Sequence, residues 1–167
     1  MADTVLVHPN REKNEAKATK AAVTLLLVVS AVLILVILFG GWKKQAGMQI
    51  IALAYALVYL LMAYLVSTKW NRGVLPVAAG MAIMWSVVCL VAGFAWLDDD
   101  KTGFADPGLL NASFLGLLTL ILIPVQILLV AFALRGLQQK WNVELEVRRE
   151  DADRYRRGDH EGDLQTA

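Results

Sequence analysis

Ser30, Tyr55, Tyr59, Trp85, Ser86 and Gln126 are polar or aromatic residues set in long apolar stretches, at similar distances from the ends of those stretches. Hydroxyl, indole and amide groups at one depth in hydrocarbon suit two kinds of chemistry. They hydrogen-bond a lipophilic ligand such as a quinone or a lipid, or they hydrogen-bond each other and hold helices together. On the first reading Tyr55, Tyr59, Trp85, Ser86 and Gln126 line a ligand site, with Tyr59, Ser86 and Gln126 supplying the hydrogen bonds. On the second they are structural. A second constellation is acidic. Asp98, Asp100, Thr102, Gly103 and Asp106 fit the first, third, fifth, sixth and ninth positions of a calcium loop, although Leu109 stands where the twelfth position needs a bidentate Glu. Asp98, Asp100 and Asp106 are therefore metal-ligand candidates, competing with a solvated acidic turn, and an enzyme using these aspartates with a metal is a third functional class. Trp141, Arg148 and Arg149 form a third group, suited to a protein partner or to anionic lipid.

Several chemistries lack their residues. His8 and His160 stand far apart in sequence, and Cys89 is the one cysteine. Zinc spacing, bis-histidine haem and dithiol exchange are thus excluded. With nothing basic nearby in sequence to favour a thiolate, Cys89 reads as a small packing residue. No Ser/His/Asp set or phosphate-binding loop is present, so neither catalysis nor a cofactor is expected.

The elements that position these residues are marked out by charge. The chain has 167 residues, 57% of them hydrophobic and 19% charged, with a mean hydropathy of +0.54, too apolar for an ordinary soluble domain. The formal net charge of +1 gives no basic excess for nucleic acid. All 31 charged residues lie outside four runs at 21–39, 48–66, 74–97 and 114–134. Each run is 19 residues or longer, and about 20 helical residues cross a hydrocarbon core. Four transmembrane helices are expected, with no ionisable residue inside them, which argues against ion-coupled transport. The first run exceeds the apolar core of a cleaved leader and lacks an Ala-x-Ala site, so it is expected to remain.

Thirteen of the 16 Lys and Arg residues fall in the N-terminal segment, the second connection and the C-terminal tail. The positive-inside rule then places both termini in the cytoplasm. Trp42, Trp70, Trp96 and Trp141 stand beside the ends of runs, where indoles favour the headgroup layer. Short connections make successive helices antiparallel neighbours. The expected fold is an all-α integral membrane protein, an up-down-up-down bundle of four transmembrane helices over 21–134. A charged cytoplasmic segment at 1–20 precedes it, and a charged, partly disordered cytoplasmic tail at 135–167 follows.

Small and polar residues at alternating spacings of three and four mark packing seams. Gln49, Ala52, Ala56, Tyr59 and Ala63 form one. Ala79, Ala82, Ser86, Cys89 and Gly93 form the next, and Gly116, Thr119, Ile123, Gln126, Val130 and Ala133 the last. The first run is nearly all Leu, Val and Ile, so it is expected to be the most lipid-exposed helix or to face a partner. Asn10 is expected to cap a helix running straight into that run, placing Lys13 and Lys17 near lipid phosphates. Residues 141–147 alternate apolar and polar side chains at the period of a strand. With no sheet expected in the chain, this segment should extend the last helix or pair with another protein's edge.

The function these features favour is a non-enzymatic multi-pass membrane protein of the bacterial plasma membrane. It would serve as an accessory or scaffolding subunit of a larger complex, with lipid around it and a protein partner or second copy bound through the first helix or the tail. The alternative is a small oligomeric permease or a lipophilic-ligand-binding protein that uses the polar layer.

Overall fold

A computed structural model describes residues 4–45, 47–101, 109–149 and 152, with residues 99–101 in backbone only. In chain order the elements are β1 (Thr4–Val7), α1 (Pro9–Glu12), α2 (Asn14–Gly40), α3 (Gln49–Lys69), α4 (Val74–Lys101), α5 (Ala112–Gln138) and β2 (Leu145–Arg148). A single 3₁₀ turn, Trp42–Lys44, lies between α2 and α3. Helices α2, α3, α4 and α5 are each long and apolar enough to cross a membrane. The molecule is a bundle of four long apolar helices, as a multi-span membrane protein requires.

The helix ends show how local sequence sets the boundaries. Pro9 opens α1, where its missing N–H costs nothing. Lys13 then adopts an extended conformation (φ −61°, ψ 133°) and separates α1 from α2. The continuous helix expected from Asn10 is therefore broken. Asn10 lies inside α1 and donates from Nδ2 to the Lys140 carbonyl at 3.1 Å. Lys17 Nζ pairs with Glu12 Oε2 at 3.0 Å across the break. At the start of α5, Asn111 Oδ1 accepts from the Ser113 N–H at 2.8 Å, an N-cap that begins the helix two residues before the apolar run. Trp70 ends α3 in the left-handed region at φ 51°.

The packing order corrects one expectation. Helix α2 packs against both α3 and α5, α5 packs closely on α4, and α3 and α4 scarcely touch. The Leu/Val/Ile-rich helix is thus an inner strut of the bundle. Thr19, Val23, Leu27, Ser30, Ile34 and Leu38 are buried along it at every third or fourth position, with Ala31 beside Ser30. Helix α3 shows the wider apolar outer surface, including Ile50, Leu57 and Leu61. The physical reason is that lipid is as apolar as leucine, so hydropathy does not separate a buried stripe from a lipid-facing one.

The seam of α3 follows the expected one, with Ala52, Ala56, Tyr59 and Ala63 buried. On α4 the seam passes through Trp85 instead of Ser86, and on α5 through Leu122 and Leu129 instead of Ile123 and Val130. Two glycines bring α4 and α5 together. A Cβ on Gly93 would lie 2.6 Å from Leu120 Cδ2, and one on Gly116 would lie 3.1 Å from Trp96 Cβ.

The strand-like segment after Trp141 has its partner within the chain, which overturns the expectation of a helical extension or a foreign edge. Strand β2 pairs antiparallel with β1, in register Thr4 to Arg148, Val5 to Val147, Leu6 to Glu146 and Val7 to Leu145. The partner is easily missed because Thr4–Val7 is four residues long and shows no alternation of polarity in its sequence. In the structure Val5, Val7, Leu145 and Val147 share the more buried side, whereas Thr4, Leu6, Glu146 and Arg148 are exposed.

Candidate functional site

The mid-bundle polar residues divide into two groups. Tyr59 on α3 donates from its hydroxyl to Gln126 Oε1 on α5 at 2.8 Å. Gln126 in turn donates from Nε2 to Ser30 Oγ on α2 at 2.9 Å, and Ser30 donates to the Leu26 carbonyl at 2.7 Å. All three residues are fully buried. The chain of donors and acceptors ends on backbone, so a buried amide that would be costly alone is satisfied from two neighbouring helices. Pro124 lies inside α5 two residues earlier, on its exposed side. Ser86, placed in the same layer from the sequence, sits half-buried and donates to the Ala82 carbonyl of its own helix at 2.8 Å. Ser30 belongs to the triad and Ser86 does not.

Tyr55 and Trp85 form the second group, bridging the gap between α3 and α4. Their ring centroids are 4.4 Å apart at an interplanar angle of 31°. Tyr55 also meets Tyr59 edge-on at 6.0 Å, so a row of aromatic rings runs from the triad towards α4. Beside Trp85 lies an apolar cavity of about 100 Å³, partly open, with Ile34, Ala52, Val88, Cys89 and Leu122 among its walls. Two polar residues reach it, and both already donate to backbone: Thr119 to Leu115 at 2.7 Å and Gln45 to Ile37 at 2.8 Å. Trp85 differs. It is 6% exposed, and its indole N–H is buried with no hydrogen-bond partner.

The cavity shares Gln45, Met48, Ala92 and Trp96 with a wider cleft whose lining includes Lys44 and Asp98. Asp98 is exposed on the last turns of α4, so the acidic segment begins as helix rather than loop. Asp100 continues that helix in backbone, while its side chain and all of Asp106 lie outside the described residues. Among the described residues no three His, Cys, Asp or Glu side chains group to hold a metal ion.

Trp141, expected at the headgroup layer as a partner or lipid contact, is instead fully buried. It meets Trp70 edge-on with centroids 5.4 Å apart, and its ring lies against Gly136, where a Cβ would come within 3.1 Å of it. Its indole N–H donates to Gln139 Oε1 at 3.0 Å. Its carbonyl accepts from Arg11 Nε at 3.0 Å, and Gln139 Nε2 donates to Thr19 Oγ1 at 3.0 Å. Lys20 Nζ stands 4.0 Å over the Trp70 ring. The reason for the burial is the left-handed turn at Lys140 (φ 47°), which folds the chain back under the bundle. Arg148 and Arg149 are exposed at the end of β2 and just beyond it.

The sequence reading missed this clasp of N- and C-terminal segments, whose faint signals were the Asn10-Arg11 and Gln139 side chains flanking apolar runs. No family model, curated protein or solved structure matches this chain. Its chemistry is therefore read from its own residues: a multi-pass, mostly helical membrane protein without an evident catalytic motif.

Proposed function

We propose that this protein is a non-enzymatic accessory or scaffolding subunit of a larger membrane complex. It would sit in a bacterial plasma membrane with its four spans in up-down-up-down order and both termini in the cytoplasm. The observation that carries this reading is the β1–β2 ribbon. A ribbon of two strands has an outer edge on each, and such edges are templates for a third strand. Here the ribbon is clasped to the bundle by Trp141, Arg11 and Asn10, so a partner strand would meet a fixed platform. The occupant we assign is an extended segment of another subunit, seated beside the exposed Leu6. The basic residues concentrated at this end agree with a cytoplasmic position.

Native co-purification in mild detergent tests the reading. A defined companion should be recovered with the wild-type chain and lost with Leu6→Lys, because a lysine at a strand edge blocks further pairing. Consistent recovery of the wild-type chain as a lone monomer overturns the assignment.

A second reading, a lipophilic-ligand-binding protein, is favoured by one observation: the apolar cavity of about 100 Å³ that Trp85 lines. On this reading Trp85 is the ligand contact, with Tyr55 packed against its ring. Tyr59 and Gln126 are occupied with each other.

A further inference from the structure

A groove of about 670 Å³ runs between the first turns of α2 and the end of α3. Its walls change character along its length. Lys17 and Lys20 stand at one end, with Ser67 and Trp70 on the α3 side, and Ala21, Leu25 and Val28 continue it along α2. Spaced by three or four residues, these α2 positions form one stripe. Leu25 and Val28 are exposed, so the apolar part of the stripe lies open to the bilayer.

Depth and charge narrow what the groove suits. The charge-free run begins at Ala21, which puts Lys17 and Lys20 at the level of lipid phosphates. From Lys20 to Val28 is eight residues, or roughly 12 Å at the helical rise, most of the half-thickness of a hydrocarbon core about 30 Å thick. An acyl chain with a phosphate at its upper end matches this sequence of walls. Lys20 Nζ stands 4.0 Å over the Trp70 ring, and among the described residues it forms no ion pair with a carboxylate. A ring face positions a cation without cancelling its charge. Lys17, by contrast, is balanced by Glu12 at 3.0 Å.

The headgroup is narrowed by a second pocket of about 330 Å³, which shares Lys17 and Trp70 with the groove and reaches Arg11, Glu12 and the β1 residues Leu6 and Val7. Together the two carry Arg11, Lys17 and Lys20 against one carboxylate, Glu12. A cationic head such as choline or ethanolamine would meet this positive excess, whereas an uncharged polyol would not be repelled.

We propose that the groove between α2 and α3 binds one anionic phospholipid of the phosphatidylglycerol class, with its phosphate on Lys20, its polyol head in the pocket beside β1 and one acyl chain along Ala21, Leu25 and Val28. The site is independent of the accessory role, since a chain that lacks a companion keeps the groove.

Thermal unfolding of the purified full-length chain in an uncharged detergent tests it, with dioleoyl phosphatidylglycerol, dioleoyl phosphatidylcholine and glycerol 1-phosphate as probes. A ligand that binds the folded chain raises Tm in a concentration-dependent manner. Phosphatidylglycerol is expected to give the same rise at about fivefold lower concentration than phosphatidylcholine, the preference that one lysine confers near anionic lipid. Glycerol 1-phosphate has the anion without the chains and should give no rise at those concentrations. Lys20→Gln should bring the two lipids level. Lys20→Arg should keep the preference, as should Lys69→Gln, at an exposed lysine outside the groove. Ala21→Trp fills the groove and should weaken both lipids; should it not fold, the lysine variants still decide the matter. Equal shifts with the two lipids on the wild type, an equal shift with glycerol 1-phosphate, a preference that survives Lys20→Gln, or undiminished binding by folded Ala21→Trp would each overturn the proposal. So would a loss in Lys69→Gln as large as that in Lys20→Gln, which marks diffuse surface charge instead of a site.

Discussion

Gln126 uses both ends of its amide inside the bundle, accepting from Tyr59 and donating to Ser30. Interhelical hydrogen bonds in membrane proteins contribute about 0.6 kcal/mol each on average and up to about 1.7. Gln126→Leu removes two of them and leaves the Tyr59 hydroxyl buried without an acceptor. We expect it to cost about 1–2 kcal/mol with the helical content intact, read as a lower Tm in detergent with unchanged far-UV circular dichroism. Ser86→Ala, by contrast, removes a bond within one helix and should leave Tm nearly unchanged. The contrast between these residues shows what was legible in the sequence. Counting along each helix gives depth, which brought Ser30, Tyr59 and Gln126 to one level correctly. Rotation about the axis is harder, because one residue turns the helix by about 100°. Ser86 and Trp85 are adjacent in sequence, yet Trp85 faces the cavity and Ser86 turns back on its own backbone. An apolar helix in an apolar solvent offers no hydrophobic contrast to say which is which.

Helix α2 shows the same limit for a whole element. Its end was readable to within one residue and its start to within seven, whereas its neighbours were not, because Leu27, Ile34 and Leu38 bury as readily against α3 or α5 as Leu25 and Val32 dissolve in lipid. The small residues were more informative. Gly93 and Gly116 were both read as seam positions, and at each an added Cβ would press into the facing helix. Gly116→Leu would drive a side chain into Trp96, Leu97 and the Gly93 carbonyl. Overpacking of this kind costs roughly 1–3 kcal/mol, and we expect a matching loss of thermal stability. Gly80, whose Cβ would meet nothing within 4 Å, is the control. Gly80→Ala should be neutral or slightly stabilising, since alanine is the better helix former by about 1 kcal/mol.

For the molecule as a whole, the defining arrangement is the clasp that ties residues 4–20 to residues 135–149. Trp141 is its centre, fully buried against Trp70 and Gly136. Trp141→Ala should cost about 3–5 kcal/mol and loosen the ribbon, seen as faster hydrogen exchange in both strands at once. The pairing itself can be tested covalently. In a Cys89→Ala background, Val5→Cys with Val147→Cys places two thiols on directly opposed residues. Opposed Cα atoms in an antiparallel pair are about 4.5–5.5 Å apart, within the range a disulfide spans. Mild oxidation should give an intrachain crosslink visible as a mobility shift reversed by reductant, whereas crosslinked dimers would mean that the strands pair between copies. Sequence reading supplied one strand of this pair from its alternation and not the other. A four-residue strand carries too little pattern to recognise, and its partner is far along the chain.

That distance also has a consequence for biosynthesis. The 137 residues between Val7 and Leu145 must be polymerised before the ribbon can close. At about 5–20 residues per second, this takes roughly 7–30 s. During that interval all four apolar helices are made, while β1 waits as an unpaired edge rich in β-branched residues. The clasp is therefore a late step in maturation. A nascent chain arrested before Leu145 would display that edge throughout the arrest, the form of the protein most open to capture by a chaperone or by another nascent chain.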